Sequence, residues 1–404
     1  MLRFEDARRL ILHHCSPLGS ERISLSAACG RVLADEVHAP WDLPRWNNSA
    51  MDGFALRHED LSATLSLPIE GYLPAGVLPG AGLAPGTAMK IMTGAPLPIG
   101  ADTVVPMEEA REEAGRVSLT KRPVSGAHVR RQAEDVRAGE LVIPAGTLLR
   151  PAEIGMLASF GKVVIPVFRR ARIAVLSTGD ELVEPGEPLS DGRIVNSNAF
   201  ALAAALQEIG AEPILLGIAR DTRESHLALL REGLRADGLI TSAGISTGDR
   251  DLVREILLEL GAEEIFWKID IKPGRPMAFL RAENRPIFCL PGNPVATLIT
   301  FEELVKPAIL RMMGHRRVIQ PFVQGILQEA VRKKPGRGQF LRVRLSVRDG
   351  RFLVSTSGDQ QTGILRTLVS ADGLVYLPPE AGDLPAGAVV DLHLLGRQAE
   401  MREE

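Results

Sequence analysis

The segment NNSAMDGFAL, residues 47–56, sets a lone carboxylate, Asp52, between Met51 and Gly53 behind a run of small polar residues. An Asp-Gly pair has two uses. It makes a turn, because Asp bonds its own backbone and Gly supplies positive φ. It also presents an acid to a ligand from a tight loop. Farther along, polar or charged segments each follow an apolar run. These are Ser177-Thr178-Gly179-Asp180-Glu181, Arg220-Asp221, the stretch from Ser242, Gly244 and Ser246 to Asp251, Lys272-Pro273-Gly274-Arg275, and Pro291-Gly292-Asn293-Pro294. Hydroxyls, glycine N–H groups and cations gathered together suit phosphate or another oxyanion. Glu181, Asp221 and Asp251, if they converge, raise one another's pKa unless a cation compensates, and Mg²⁺ bridging to a substrate phosphate is the usual compensation. Each segment also has a plainer reading. Asp221 stands three residues before Glu224, a capping-box spacing. Asp251 precedes a helical pattern and can cap it, Glu181 can simply be solvated, and the Gly-Pro segments can be ordinary turns.

A doubly wound sheet would bring these segments together. From Arg172 onward, apolar runs alternate with helical patterns: RIAVL, then NSNAFALAAALQEIG, EPILLGIA, DTRESHLALLREGLRADG, GLITSAG, DLVREILLELG, IFWKIDIKPG, PIFCLPGNP and a helix over 293–312. Continuous apolar strands alternating with helices predict a parallel sheet covered on both faces, with ligands at the carboxyl ends of its strands. All five polar segments then fall on one edge. No G-x-G-x-x-G follows the first strand and no G-x-x-x-x-G-K-[ST] occurs, which excludes the dinucleotide and P-loop patterns. Upstream, residues 2–14 predict a helix ended by Pro17 and Gly19, and residues 150–161 a second with Pro151 in its first turn and Gly161 at its stop. Between 55 and 145, Gly and Pro recur among short apolar runs, the texture of a β-rich module. After Gly314 the pattern returns to β, with a hairpin around Asp349-Gly350 and a final strand in DLPAGAVVDLHLL.

The totals narrow the function classes. A chain of 404 residues calls for two to four domains. Aromatics at 4% leave no stacking platform for single-stranded nucleic acid, and a net charge of −3 gives no general affinity for polyanions. The three cysteines and eight histidines lack metal-ligand spacing. No apolar run reaches about 18 residues and no signal peptide opens the chain, so a soluble cytoplasmic protein is expected, with no membrane and no nucleic-acid partner.

The motifs NSAMDGFAL, IMTGAPLPIGADTVV, VRRQAEDV, LSTGDEL, KPGRPMAF and LPGNPVAT, in this order, resemble the molybdopterin molybdenumtransferase family, the MoeA-like molybdate insertases related to the E domain of gephyrin. The resemblance implies a multidomain α/β and β protein. Its parts are an N-terminal helix (1–20), a linking α+β domain (21–45 and 146–170), a β-rich module (46–145), a doubly wound α/β molybdopterin-binding domain (171–316) and a C-terminal β domain (317–404). It implies a homodimer whose cleft is shared between subunits, with Asp52, Thr93, Arg130 and Asp135 facing Glu181, Asp221, Asp251, Lys268 and Lys272. The implied reaction is Mg²⁺-dependent insertion of molybdate into adenylylated molybdopterin with release of AMP, downstream of a molybdopterin adenylyltransferase. Lys272 and Arg275 then hold molybdate, and Glu181, Asp221 and Asp251 are the metal ligands. Ser177, Thr178, Gly179 and the Ser242–Ser246 and Pro291–Pro294 loops line the pterin site, while Arg342 and Thr362 help hold the oxyanion.

This chain departs from the family's pattern at Ala243, where Gly is common, at Arg275, where Lys is common, and at Ala296, where Ser is common. Two alternatives stand beside the insertase: a non-catalytic molybdopterin-binding or scaffold protein of the same fold, and an insertase for tungstate.

Overall fold

A computed structural model describes residues 1–244, 252–396 and 402–403. Ser246 and Asp251 of the predicted site lie outside the described residues. The chain divides into two compact units, residues 35–145 with 151–163, and residues 1–34, 146–150 and 164–404. It opens with helix α1 (Phe4–His14), which carries Glu5 and Asp6 in its first turn and His13 and His14 in its last, the charge order the helix dipole favours.

In the smaller unit, β1 (Gly53–Leu56), β2 (Ser66–Leu73), β3 (Ala88–Ile91), β4 (Thr103–Pro106), β5 (Ala110–Glu113) and β6 (Arg116–Leu119) form one sheet in the order β4-β1-β3-β2-β6-β5. Alternate residues of β1 serve two cores. Phe54 and Leu56 join Leu67, Val105 and Val117, while Ala55 joins Leu73, Ile91 and Val104, as the period of two requires. Helix α2 (Pro151–Ser159) begins at the proline and stops short of Gly161, whose φ is +66°.

In the larger unit, β7 (Arg172–Thr178), β8 (Glu212–Ala219), β9 (Gly238–Ser242), β10 (Glu263–Trp267), the short β11 (Ile271–Lys272), β12 (Ala278–Ala282) and β13 (Arg285–Leu290) follow in turn. The sheet order is β8-β7-β9-β13-β12-β10. The first four strands are parallel, but β12 runs antiparallel to both its neighbours, so the expected all-parallel sheet is mixed. The reason is the Glu283-Asn284 connection. Ala282 pairs with Arg285, and so short a link can join only antiparallel strands. The run IFWKIDIKPG, expected as one strand, breaks at Lys268, where φ is +69°. Its second half, β11, pairs with the C-terminal sheet. Two antiparallel steps return β10 to the direction of β7, so the excursion over 268–277 still opens at the carboxyl edge.

Both faces of this sheet are covered. Ile173 and Val175 pack with Phe4, Ala7 and Ile11 of α1 and with Phe279 and Phe288; Ala174 and Leu176 pack with Leu230, Val253 and Ile256. The covering helices are α3 (Ser197–Glu208), α4 (Arg223–Gly233), α5 (Leu252–Glu259), α6 (Pro294–Thr300) and α7 (Lys306–Met312), the last two joined by a π-helical turn, Phe301–Val305. Helix α4 is capped by Thr222, whose Oγ1 accepts the Ser225 N–H at 3.3 Å. Asp221, the expected cap, sits one residue too early and is engaged elsewhere.

The C-terminal strands β14 (Val323–Leu327), β15 (Gly338–Arg348), β16 (Arg351–Thr356), β17 (Gly373–Leu377) and β18 (Val389–Leu394) run β15-β16-β14-β18-β17, and β17 pairs back onto β15. This closes a small barrel and removes its free edges. The predicted hairpin is present: Arg348 pairs with Arg351 across Asp349 and Gly350, both at positive φ, the two-residue turn that suits twisted strands. A two-residue strand, Arg402–Glu403, pairs with β15 after β18. Among the described residues no helix is long and apolar enough to cross a membrane.

Candidate functional site

At the carboxyl edge of the α/β sheet, β7 ends in Ser177 and Thr178, both buried. The Ser177 hydroxyl donates to Asn196 Oδ1 at 2.8 Å, and the same oxygen accepts the Ala199 N–H to cap α3. Gly179 follows at φ +134°, and a Cβ there would stand 2.2 Å from the Glu181 Oε2. Glycine is favoured by the backbone conformation, and a Cβ here would displace the Glu181 carboxylate. Asp180 and Asp221 clasp one another. The Asp180 N–H donates to Asp221 Oδ2 at 3.3 Å, and the Asp221 N–H donates to Asp180 Oδ1 at 3.2 Å. Arg220 Nη1 donates to the carbonyl oxygens of Asp180 at 3.4 Å and Leu182 at 2.9 Å. The ends of β7 and β8 are thus tied into one acidic rim.

The ends of β9 and β13 are tied together by Asn198. Its Nδ2 donates to Ser242 Oγ at 2.7 Å and to the Gly292 carbonyl at 2.9 Å. Ala243 lies at φ +73° and Gly244 at +77°. Asn293 caps α6, accepting the N–H groups of Val295 and Ala296 at 3.1 and 3.2 Å, with Pro294 as the first helical residue. Thr297, the hydroxyl nearest in sequence to the Ser-to-Ala departure at 296, is buried and donates to the Pro291 carbonyl at 2.5 Å. Its hydroxyl faces the loop that it supports, reaching the Asn293 carbonyl as well at 2.9 Å.

The 268–277 excursion carries Lys268, half-buried, and Lys272 and Arg275, both exposed. The Lys268 N–H donates to the Met277 carbonyl at 2.9 Å and closes its neck. Arg342 is fully buried on β15. Its Nε donates to Thr367 Oγ1 at 2.8 Å, and its Nη2 donates to the carbonyls of Asp359 at 3.0 Å and Gln361 at 3.2 Å. Burial lowers its pKa, with Asp359 pulling the other way. The guanidinium braces the 359–361 segment beside Thr362 and is not displayed at the surface; its Nη1 has no partner among the described residues.

In the smaller unit, Asp52 Oδ1 accepts both the Thr93 N–H at 2.7 Å and the Thr93 hydroxyl at 2.8 Å. These bonds, the backbone one first, hold the exposed carboxyl below the usual aspartate range. Gly53 does not supply the positive φ that a turn would ask of it. It opens β1, and a Cβ there would lie 2.0 Å from the Val105 carbonyl oxygen. Arg130 pairs with Asn48 on a short ladder, and the Asp135 N–H donates to the Leu43 carbonyl at 3.0 Å. Both side chains are exposed. The predicted residues thus form two sets, one in each unit. Neither Asn196 nor Asn198 is among the residues expected at the site; the alternating polar residues of "NSN", 196–198, are the available signal. Among the described residues no three His, Cys, Asp or Glu side chains are grouped to hold a metal ion. Burial pushes the Cys15 thiol up to about 12, which leaves it inert.

Residues 2–161 match the MoeA N-terminal region (domains I and II), residues 174–311 a probable molybdopterin binding domain, and residues 324–395 the MoeA C-terminal region (domain IV). The chain is 35% identical to a molybdopterin molybdenumtransferase of Haemophilus influenzae, over 98% of this chain and 100% of that one. It is 39% identical to one from a Nostoc species, over 89% and 85% of the two chains. The solved structure of a molybdopterin biosynthesis MoeA protein from Pyrococcus horikosii matches with a TM-score of 0.83 at 31% identity, covering 98% of this chain and 99% of that one. Sequence and fold agree along nearly the whole length, and the chain belongs to the molybdopterin molybdenumtransferase (MoeA) family of transferases.

Proposed function

We propose that this transferase inserts molybdate into adenylylated molybdopterin in a Mg²⁺-dependent step that releases AMP and leaves molybdenum on the dithiolene. The observation that carries the reading is the Asp180–Asp221 clasp beside Gly179 and Glu181, on the same sheet edge as the Ser242 and Pro291–Pro294 turns. Each clasped carboxylate keeps one oxygen outside the clasp. Hard oxygen donors of this kind suit Mg²⁺, which commonly takes one or two carboxylates together with substrate phosphates. Glu181, Asp221 and Asp251 would hold the ion jointly with the substrate. When bound, it would neutralise charge on the phosphoanhydride.

The chain's own residues do the rest by position and charge, as in phosphoryl-type transfer generally. Lys272 and Arg275 bind molybdate through charge-assisted hydrogen bonds. Ser177, Thr178, Ser242, Gly244 and the Pro291–Pro294 turn receive the pterin and its phosphate, and Lys268 approaches from the excursion. Thr362 helps hold the oxyanion, and Arg342 supports it by bracing the adjacent 359–361 segment. Asp52 stays ionised, and its Oδ2, left free by Thr93, accepts a hydrogen bond from the substrate. With Thr93, Arg130 and Asp135 it comes from the partner subunit of a homodimer, and a molybdopterin adenylyltransferase supplies the substrate.

The test is direct. Purified protein is given adenylylated molybdopterin, molybdate and Mg²⁺; AMP is measured by chromatography and cofactor by reconstitution of an apo-molybdoenzyme. Both products are expected, and both are lost on chelation. Absence of AMP and of active cofactor overturns the reading.

A further inference from the structure

A cleft of about 750 Å³ lies between the end of β11 and the 332–337 segment that leads into β15. Its wall carries Lys272, Arg332, Lys333, Lys334 and Arg337 against a single carboxylate, Asp383. That carboxylate is engaged, since its Oδ1 accepts the Lys333 N–H at 2.7 Å. Arg337 turns its Nε to Asp270 at 3.3 Å. Lys272, Arg332 and Lys334 are exposed, and none of them is ion-paired among the described residues. Lys333 is only 4% exposed, and its Nζ donates to the carbonyls of Pro379 at 3.3 Å and Ala381 at 2.9 Å. No carboxylate among the described residues pairs with that ammonium. A buried charge held by carbonyls alone is costly until an anion compensates it. The same bonds fix the wall, and concave low-dielectric walls focus the field of the cations.

The volume is that of a site for an organic ligand, not for a bare inorganic ion. A net charge of −3 speaks against a polynucleotide. We infer that this cleft binds a phosphate monoester dianion through Arg332, Lys334 and Arg337, over the buried charge of Lys333, beside the Lys272 assigned to molybdate. The source is the phosphate of the released AMP, a step that rests on the function proposed above; the pterin's own phosphate, when not adenylylated, is the other source of the same chemistry.

The test uses full-length protein, wild type and Arg332→Gln/Lys334→Gln, titrated calorimetrically with inorganic phosphate, AMP, adenosine and molybdopterin. Loss of two charge-assisted contacts should weaken AMP and inorganic phosphate by about 10- to 100-fold, with adenosine and molybdopterin unchanged. The charge-matched surface variant Arg348→Gln/Arg351→Gln should bind all four as wild type does. A fall in molybdopterin affinity with AMP binding intact keeps the site and moves the source to the pterin. Equal binding of AMP, phosphate and molybdopterin by wild type and the 332/334 variant overturns the inference. Failure to release AMP in the activity assay sinks the proposed reaction, whereas phosphate binding that responds to the variant stands without it.

Discussion

In the smaller unit, Asp52 is fixed by a neighbour: the Thr93 N–H and hydroxyl both lie within 2.8 Å of one oxygen. In the larger unit, Asp180 and Asp221 are fixed by each other's backbone, with one bond per carboxylate at 3.3 and 3.2 Å. Two short bonds on one oxygen lock a carboxylate in its charged form and in one orientation. A single long bond leaves a carboxylate room to turn toward an arriving cation. On the function proposed above, the contrast separates an acid set to receive a substrate group from a pair able to adjust around a metal.

The largest expected effects come from removing these charges while keeping the shapes. Asp52→Asn and Asp221→Asn should each lower cofactor formation by about 100-fold or more, the range seen when one preorganised electrostatic group is lost. If each cleft is shared between subunits, mixing the two variants should restore about a quarter of wild-type activity, because half the exchanged dimers are mixed and each carries one intact site. No recovery after verified exchange would break the shared-site reading. Thr93→Val sharpens the contrast on the smaller unit alone. It removes the hydroxyl bond and keeps the stronger backbone one; both lower the Asp52 pKa, so loss of the hydroxyl raises it in part, and the acid limb of kcat/KM should move modestly to higher pH. An unmoved limb would mean that the Thr93 hydroxyl does not help set the charge of Asp52 during turnover.

The glycines beside the two acid sets differ in the same way. At Gly53 a new methyl would meet backbone, Val105 O at 2.0 Å and Val105 C at 2.8 Å, so β1 and β4 would have to part. Gly53→Ala should cost about 3 kcal/mol, read from the urea midpoint. At Gly179 the obstacle is the Glu181 carboxylate, a side chain able to swing, and the remaining penalty is the backbone at φ +134°. Gly179→Ala should cost about 1–2 kcal/mol in stability yet lower activity sharply by displacing Glu181. Equal stability losses at the two sites would erase the distinction.

Much of the larger unit was legible because β7 and β9 are buried on both faces, which leaves continuous apolar runs ended by Ser, Thr and Gly. The antiparallel β12 was not. Its turn is Glu283-Asn284 with Glu283 at φ +53°, and nothing in that pair announces a hairpin as Asn-Gly would. The break at Lys268 was hidden for the same reason, a positive φ on a residue that does not advertise one. In the smaller unit, Asp52 stood out by its type, but the reason for Gly53 did not. The constraint is a carbonyl from Val105, distant in sequence, and local spacing carries no trace of it. The bracing roles of Asn198 and Arg342 are likewise set by tertiary neighbours.

The smallest effect tests the departure at Ala243. A non-glycine residue at φ +73° carries roughly 1–2 kcal/mol of steric strain. Glycine relieves it but adds about 0.4–1 kcal/mol of unfolded-state freedom, so Ala243→Gly should stabilise by only about 0.5 kcal/mol. The more telling variant lies across the gap, where a Cβ at Gly292 would come within 3.0 Å of the Ala243 Cβ. Gly292→Ala should cost about 1 kcal/mol in the wild-type chain and nearly nothing with Ala243→Gly in place, a coupling that a double-mutant cycle reads directly. The two methyls then compete for one space between the ends of β9 and β13. Strict additivity would show that the loops yield independently, and that the alanine narrows nothing.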